Sequence, residues 1–186
     1  CLFVLTETMS LAVNYDLVIN NGRVMDPETM YDAVSNVGIK DGKITAITED
    51  KISGKQTIDA TGMVVAPGFI DGHQHCIEPY AYRLMLRDGR TTIMDLEIGA
   101  HGPKLNEWYK RREGKTPVNF GVAVAHEFAR AEILDGFKDW KYFYTPDAIS
   151  SRVKQGWSKT RPTLEQGNQI LALIDEGLQQ GGLGIG

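Results

Sequence analysis

The pattern of apolar residues changes at Pro67-Gly68, and this change restricts the fold more than any other feature of the chain. Before it, short β-rich runs are separated by turn residues. After it, strand-like runs alternate with helix-like ones. Closely spaced short strands build sandwiches and barrels, whereas strands alternating with helices build a parallel sheet or barrel. The chain therefore reads as α/β, with an all-β stretch over 15–67 and a strand–helix stretch over 68–186.

Within the first stretch, Tyr15-Asp16-Leu17-Val18-Ile19 reads as a strand closed by Asn20-Asn21-Gly22, residues that tolerate positive φ. Asn36–Lys40 and Lys43–Ile47 flank Asp41-Gly42, a strong hairpin signal because both turn residues accept the left-handed region. Thr57-Ile58-Asp59 and Met63-Val64-Val65 are two further short strands around Thr61-Gly62. An open sheet this small buries little, so it is expected to need a covering partner.

In the second stretch, Phe69-Ile70-Asp71 and Thr91–Leu96 read as strands, and Tyr80–Arg87 and Lys104–Arg112 as helices. Val118–Ala125 is a nearly continuous apolar run, as in a strand buried on both faces. Thr145-Pro146 starts another helix, with Pro where a missing N–H costs nothing. Thr163 and Gln166 form a capping box for a last helix whose Ile170, Leu171, Ile174 and Leu178 share a face, and Gly181-Gly182 ends it. Leu183–Gly186 reads as a fourth strand beginning.

Composition excludes several classes. Hydrophobic residues are 42% and charged residues 24% of the 186, which is ordinary for a globular protein. The net charge of −4 argues against non-specific binding to nucleic acid or anionic lipid. With Cys1 and Cys76 as the only cysteines, a metal site here must draw on His and carboxylate. No run approaches the ~20 apolar residues of a membrane span, so a soluble chain is expected. Residues 1–14 read as a ragged end or the remnant of a secretory signal, with Leu11-Ala12-Val13 resembling a small-residue cleavage site. The compartment stays open between cytoplasm and export.

Gly68-Phe69-Ile70-Asp71-Gly72-His73-Gln74-His75 carries the chemistry. Residues two apart on a strand share a face, so Asp71, His73 and His75 are expected to point one way and Gln74 the other. Two imidazoles at the C-terminal end of a parallel strand can reach one divalent cation, with Asp71 supporting them from behind. In a parallel barrel that end is where active sites form. A His-x-His pair alone is a weak signal; the apolar strand before it and the helix after it make it specific.

The segment Asp59–His75 resembles the entry signature of the amidohydrolase superfamily. Tyr15–Val24 and Gly38–Ile44 are similar to the small β-domain that precedes it, and Gly89-Arg90-Thr91-Thr92 to its second-strand opening, Gly-x-Thr-Thr. The resemblance runs from residue 15 onward. Its nearest branch is the N-acyl-D-amino-acid deacylases, D-aminoacylase and D-glutamate deacylase. It implies a β-sandwich-like domain over 15–67 and the first half of a metal-dependent (β/α)8 barrel over 68–186. It also implies an amidohydrolase acting on amide C–N bonds other than peptide bonds, with one or two divalent ions, usually zinc, and a small-molecule N-acylated amino acid or related amide as substrate.

On the second strand, Thr91, Ile93, Asp95 and Glu97 alternate onto one face. An interior charge is costly unless paired or metal-bound. Glu97 is accordingly read as a metal ligand beside His73 and His75, with Asp95 as its neighbour or support. The plain reading is a pair of carboxylates solvated at the strand's wet end. Many D-aminoacylases place a Cys ligand near here, where this chain reads Glu97-Ile98-Gly99, so ion number and bridging ligand stay open. His126 closes the third strand and resembles a deacylase His that looks into the site; a hydrogen-bonded structural role is the alternative. His101, in the loop Gly99-Ala100-His101-Gly102, is a candidate substrate contact or an exposed loop residue. Cys76 reads as packing. Arg83, Arg87 and Arg90 read as a solvated helix face or as contacts to an acidic substrate. Trp108, Trp140 and Trp157 read as packing helices against the sheet.

The resemblance puts the general acid/base Asp on the last barrel strand and further His ligands on strands five and six, all beyond residue 186. A full barrel needs about 250 residues, roughly twice the length of chain after Pro67. The chain is thus expected to be an inactive, marginally stable N-terminal piece with exposed apolar faces. Two other readings stay open: a cyclic-amide hydrolase (dihydroorotase-, hydantoinase- or imidazolonepropionase-like) or deaminase of the same superfamily, and a non-catalytic half-barrel that pairs with another chain. Oligomeric state is not set by the sequence.

Overall fold

The computed structural model describes residues 14–75, 79–137 and 156–186. The readings placed on 1–13, Cys76, Trp140 and Thr145-Pro146 lie outside these residues. The chain forms two compact units, Cys1–Pro67 and Gly68–Gly186.

The first unit is a five-stranded sheet of β1 (Tyr15–Asp26), β2 (Tyr31–Lys40), β3 (Lys43–Thr48), β4 (Gly54–Asp59) and β5 (Val64–Val65). The order is β3-β2-β1-β4, with β5 also beside β1. The β1–β2 and β2–β3 pairs are antiparallel, while β4 and β5 run parallel to β1. The Asp41-Gly42 hairpin forms as expected, with φ of 51° and 72°. Asn20-Asn21-Gly22, by contrast, does not close a strand. The β1–β2 ladder shifts register between Ile19 and Gly22, and Asn21 sits at φ 63°. The positive φ is used for a bulge that lets β1 run on to Asp26. The turn into β2 carries no signal that the sequence reading used; Asp26 holds it by accepting bonds from the Glu28 N–H at 3.0 Å and the Thr29 hydroxyl at 2.6 Å. Val18, Val24 and Val37 are buried, but Val34, Ile44, Ile47, Ile58, Met63 and Val64 are exposed.

The second unit is built on a parallel sheet of β6 (Phe69–Asp71), β7 (Arg90–Ala100) and β8 (Asn119–Val124), each beside its predecessor. Leu183–Gly186 joins β8 as a further parallel segment: the Leu183 N–H donates to the Val122 carbonyl at 3.0 Å and the Gly186 N–H to that of Val124 at 2.9 Å. Around the sheet lie α1 (Pro79–Arg87), a 3-10 turn Gly102–Lys104 leading into α2 (Leu105–Lys110), α3 (His126–Asp135), α4 (Gly156–Lys159) and α5 (Leu164–Gln179). Tyr82 and Met85 of α1 pack with Ile93 and Val118, Leu105 of α2 with Ala100 and Val122, and Ile170 and Ile174 of α5 with Val124 and Ala129.

The capping box of α5 is present: Thr163 Oγ1 accepts from the Gln166 N–H at 3.2 Å, and Gln166 Oε1 from the Thr163 N–H at 3.0 Å. Its buried face differs from the one expected. Ile170, Ile174 and Gly177 are buried, while Leu171 is exposed and Leu178 borders solvent. A Cβ at Gly177 would stand 2.7 Å from Gly102 Cα and 2.8 Å from the Val124 side chain, so the absence of a side chain allows the close approach. Trp108 packs at the α2–β8 cluster, whereas Trp157 packs against Phe128 of α3 rather than the sheet.

Candidate metal centre

β6 is only three residues long, and the two histidines lie past its regular end. Strand-like pairing persists irregularly: the Gln74 N–H donates to the Met94 carbonyl at 3.0 Å, and His73 bridges Asp95. The rings of His73 and His75 stand side by side, centroids 4.8 Å apart and planes at 68°. Their Nε2 atoms are 3.0 Å apart.

Glu97 reaches this pair from β7. Its Oε2 lies 3.2 Å from His75 Nε2 and in direct contact with His73 Nε2. One ligand atom from each of His73, His75 and Glu97 thus falls within 4.8 Å of the others, all three residues being exposed. Asp95 and Glu97, two residues apart on β7, both face His75, as alternation along the strand predicts, while the strand around them is irregular. Ile93 packs under α1, and the β7–β8 register shifts between Asp95 and Ala100, with Gly99 at φ 78°. A Cβ at Gly99 would stand 2.6 Å from the Ala123 carbonyl oxygen, so only glycine suits both the space and the φ.

Asp95 is 7% exposed and holds this irregular stretch together. Its Oδ1 accepts from the N–H groups of Ile98 at 2.9 Å and Gly99 at 3.1 Å. Its Oδ2 lies 3.3 Å from His75 Nδ1, on the ring edge away from Glu97. A carboxylate against Nδ1 sets the tautomer whose Nε2 lone pair faces the cluster. Asp71, expected to stand behind the imidazoles, contacts neither ring; its Oδ1 accepts from the His73 N–H at 3.1 Å and its Oδ2 from Arg90 Nη1, also at 3.1 Å.

The other candidates are not among the residues whose ligand atoms gather in the cluster. His101 is not an exposed loop residue: its side chain is 10% exposed and Nε2 donates to Glu132 Oε2 of α3 at 2.7 Å. His101 Nδ1 is buried without a hydrogen-bond partner among the described residues. His126 does not close β8 but begins α3, and its Nδ1 donates to the Gly186 carbonyl at 2.5 Å. Arg83 and Arg87 are exposed, whereas Arg90 is paired with Asp71 and with Asp88. Sequence reasoning gives no role to Glu132 and does not foresee the Arg90–Asp71 pair; neither separation obeys a local rule.

Two imidazole nitrogens and a carboxylate oxygen stand within 4.8 Å of one another, and in the tautomers that leave Nε2 unprotonated all three are available as donors to a cation. Imidazole and carboxylate together suit zinc and similar divalent ions. The fit to a cation is therefore chemical as well as spatial.

No family model matches the chain. Over 85 residues it is 47% identical to a dihydroorotase of Streptococcus pneumoniae serotype 4, which is 45% of this chain and 18% of that protein. Over 96 residues it is 43% identical to an allantoinase of Escherichia coli, 46% of this chain and 20% of that one. Among solved structures, the N-acyl-D-glutamate deacylase of Bordetella bronchiseptica, complexed with zinc and a phosphonate inhibitor, superposes with a TM-score of 0.68 at 21% identity, over 92% of this chain and 38% of that one. The L-hydantoinase of Arthrobacter aurescens superposes with a TM-score of 0.54 at 24% identity, over 60% and 28%. The chain spans about a fifth of the length of the curated relatives it matches. The likeness to the solved structures shows the fold: a β-sandwich-like unit followed in sequence by part of a parallel α/β barrel.

Proposed function

We propose that this chain is part of a metal-dependent hydrolase of amide C–N bonds other than peptide bonds, with His73, His75 and Glu97 holding the ion. The observation that carries this reading is the convergence of three donor atoms within 4.8 Å at the C-terminal ends of neighbouring parallel strands. When bound, such an ion brings the pKa of a coordinated water toward neutrality and polarises an amide carbonyl. The chain's own residues prepare the place. Asp95 orients the His75 ring and ties down the irregular end of β7, from which Glu97 projects. Asp71 fixes the backbone at His73. The exposed rim leaves room for a small amide to approach.

Within this class, the resemblance of the chain from residue 15 onward to the N-acyl-D-amino-acid deacylases supports release of an amino acid from a linear N-acyl substrate. A second reading, opening of a cyclic amide, is favoured by the higher sequence identity to the dihydroorotase and the allantoinase. Equilibrium zinc titration against a chromophoric chelator tests the centre. The wild-type chain is expected to compete for zinc, and His73→Ala and Glu97→Gln each to weaken binding by about 100-fold or more, beyond the effect of losing a merely supporting group. Equal affinity in all three proteins would reject the ligand set. Amine release from N-acetyl-D-glutamate against ring opening of dihydroorotate and allantoin separates the two branches. That assay belongs on the chain extended through the later barrel strands that the resemblance implies.

A further inference from the structure

We propose that Arg90 is a positioning residue for this centre, acting through Asp71 on the backbone at His73; the inference rests on the reading of His73, His75 and Glu97 as metal ligands. Arg90 opens β7, opposite Phe69 in the parallel register. Its guanidinium is divided between two carboxylates: Nη1 donates to Asp71 Oδ2 at 3.1 Å and Nη2 to Asp88 Oδ2 at 3.2 Å. The second oxygen of Asp71 accepts from the His73 N–H at 3.1 Å. A continuous path therefore runs from Asp88 at the end of α1, through Arg90 and Asp71, to the main chain of a candidate ligand.

This path meets the chain where it needs support. Regular pairing of β6 ends at Asp71, and two residues later His73 must present Nε2 to His75 and Glu97. The bond from the His73 N–H to the Asp71 carboxylate makes an Asx turn at that point. A carboxylate held at one oxygen only is free to turn away. Held at the other oxygen by a planar guanidinium that also pairs with Asp88, it is hindered from turning. Lysine carries the charge but lacks the fork that joins Asp71 to Asp88. Arg90 is thus turned inward on the site's own scaffold instead of toward a substrate anion.

The experiment is a double-mutant cycle on zinc affinity, read by chelator competition, with unfolding of the metal-free proteins monitored in parallel. Arg90→Met and Asp71→Asn are each expected to weaken zinc binding about tenfold, as loss of an outer support does elsewhere. Arg90→Lys should fall between Arg90→Met and wild type, and it supplies the arginine arm of the cycle should Arg90→Met not fold. Because one path serves both residues, the double variant should bind no more weakly than the weaker single one. Wild-type zinc affinity in the arginine variants, with or without a lowered unfolding midpoint, would reduce Arg90 to a fold-stabilising residue and overturn the proposal. Effects that multiply in the double variant would also overturn it. His73→Ala is the separate control: if it binds zinc like wild type, the metal-site reading itself fails, whereas its loss of zinc beside unaffected Arg90 variants rejects only the relay.

Discussion

The N-terminal sheet and the α/β unit use their carboxylates in different ways. In the sheet, each carboxylate with a depressed pKa is engaged in holding a turn or a strand pair. Asp16 takes Lys55 at 2.8 Å and the Asp41 N–H at 2.9 Å, Asp32 takes Arg23, Asp26 closes a turn, and Asp59 takes Asn21 and Thr61. Their partners are cations, hydroxyls and amides, all donors, so these groups are satisfied as they stand. In the α/β unit, Glu97 and Asp95 instead face histidine nitrogens, and Glu97 adds its lone pairs to two more. The difference teaches where to look for function: the carboxylates of the sheet hold turns and strand pairs, whereas Glu97 meets two imidazoles, which is the contrast on which the proposed metal site rests.

Burial separates the two regions as well. Among the described residues the clusters of buried apolar side chains, such as Ala100, Leu105 and Val122, lie in the α/β unit, although both regions also leave large apolar residues exposed, Val34 and Ile44 in the sheet and Phe69 and Leu164 in the α/β unit. Leu105→Ala, at a fully buried side chain under β8, should therefore cost about 2–5 kcal/mol, measured by denaturant unfolding and by amide exchange in α2 and β8. Val18→Ala, buried in the sheet, removes less and should cost about 2 kcal/mol, read from amide exchange in β1 and β4. A larger loss at Val18 than at Leu105 would break the contrast in packing.

Asp95→Asn sharpens the contrast in charge. It keeps an oxygen for the Ile98 and Gly99 amides but weakens the hold on His75 Nδ1, so zinc affinity should drop about tenfold with a smaller change in unfolding. Affinity unchanged while stability collapses would assign Asp95 to the fold alone.

The smallest effect is expected at Asp16. Hydrogen bonding from Lys55, and after it from the Asp41 N–H, lowers its carboxyl from 3.8 to about 2. A depressed folded-state value means that its stabilisation is complete above the unfolded pKa and is lost as pH falls through the folded one. Protection of β1–β4 amides should thus weaken between pH 4 and 2, and Asp16→Asn should reduce that dependence by the share of Asp16, the remainder coming from Asp26, Asp32 and Asp59. Because the group is exposed, the change is expected to be slight. An identical acid profile in the variant would show that this ion pair contributes nothing.

Local rules explain why some elements are legible in the sequence. Asp41-Gly42, the Thr163–Gln166 box and the buried run of β8 depend on residues close in sequence, and each forms where expected. The Asn20-Asn21-Gly22 reading fails because positive φ serves a bulge as well as a turn; only the β2 partner decides between them. The start of α3 is hidden because the apolar run of β8 leads into His126 without a capping side chain to mark the change. Leu171 is exposed because the face of α5 that is buried centres on Ile170, Ile174 and Gly177, whose missing side chain admits Gly102 and Val124.

The sequence by itself determined that β-only and strand–helix segments meet at Pro67-Gly68, and that two histidines leave an apolar strand one residue apart. Periodicity and turn preference are short-range, so they can be read along the chain. Tertiary structure alone decided that Asp95, not Asp71, touches an imidazole, that one Glu97 oxygen reaches both histidines, and that Arg90 grips Asp71. Each of these depends on register between strands separated by a helix, and register is set by packing across the sheet rather than by neighbours in sequence.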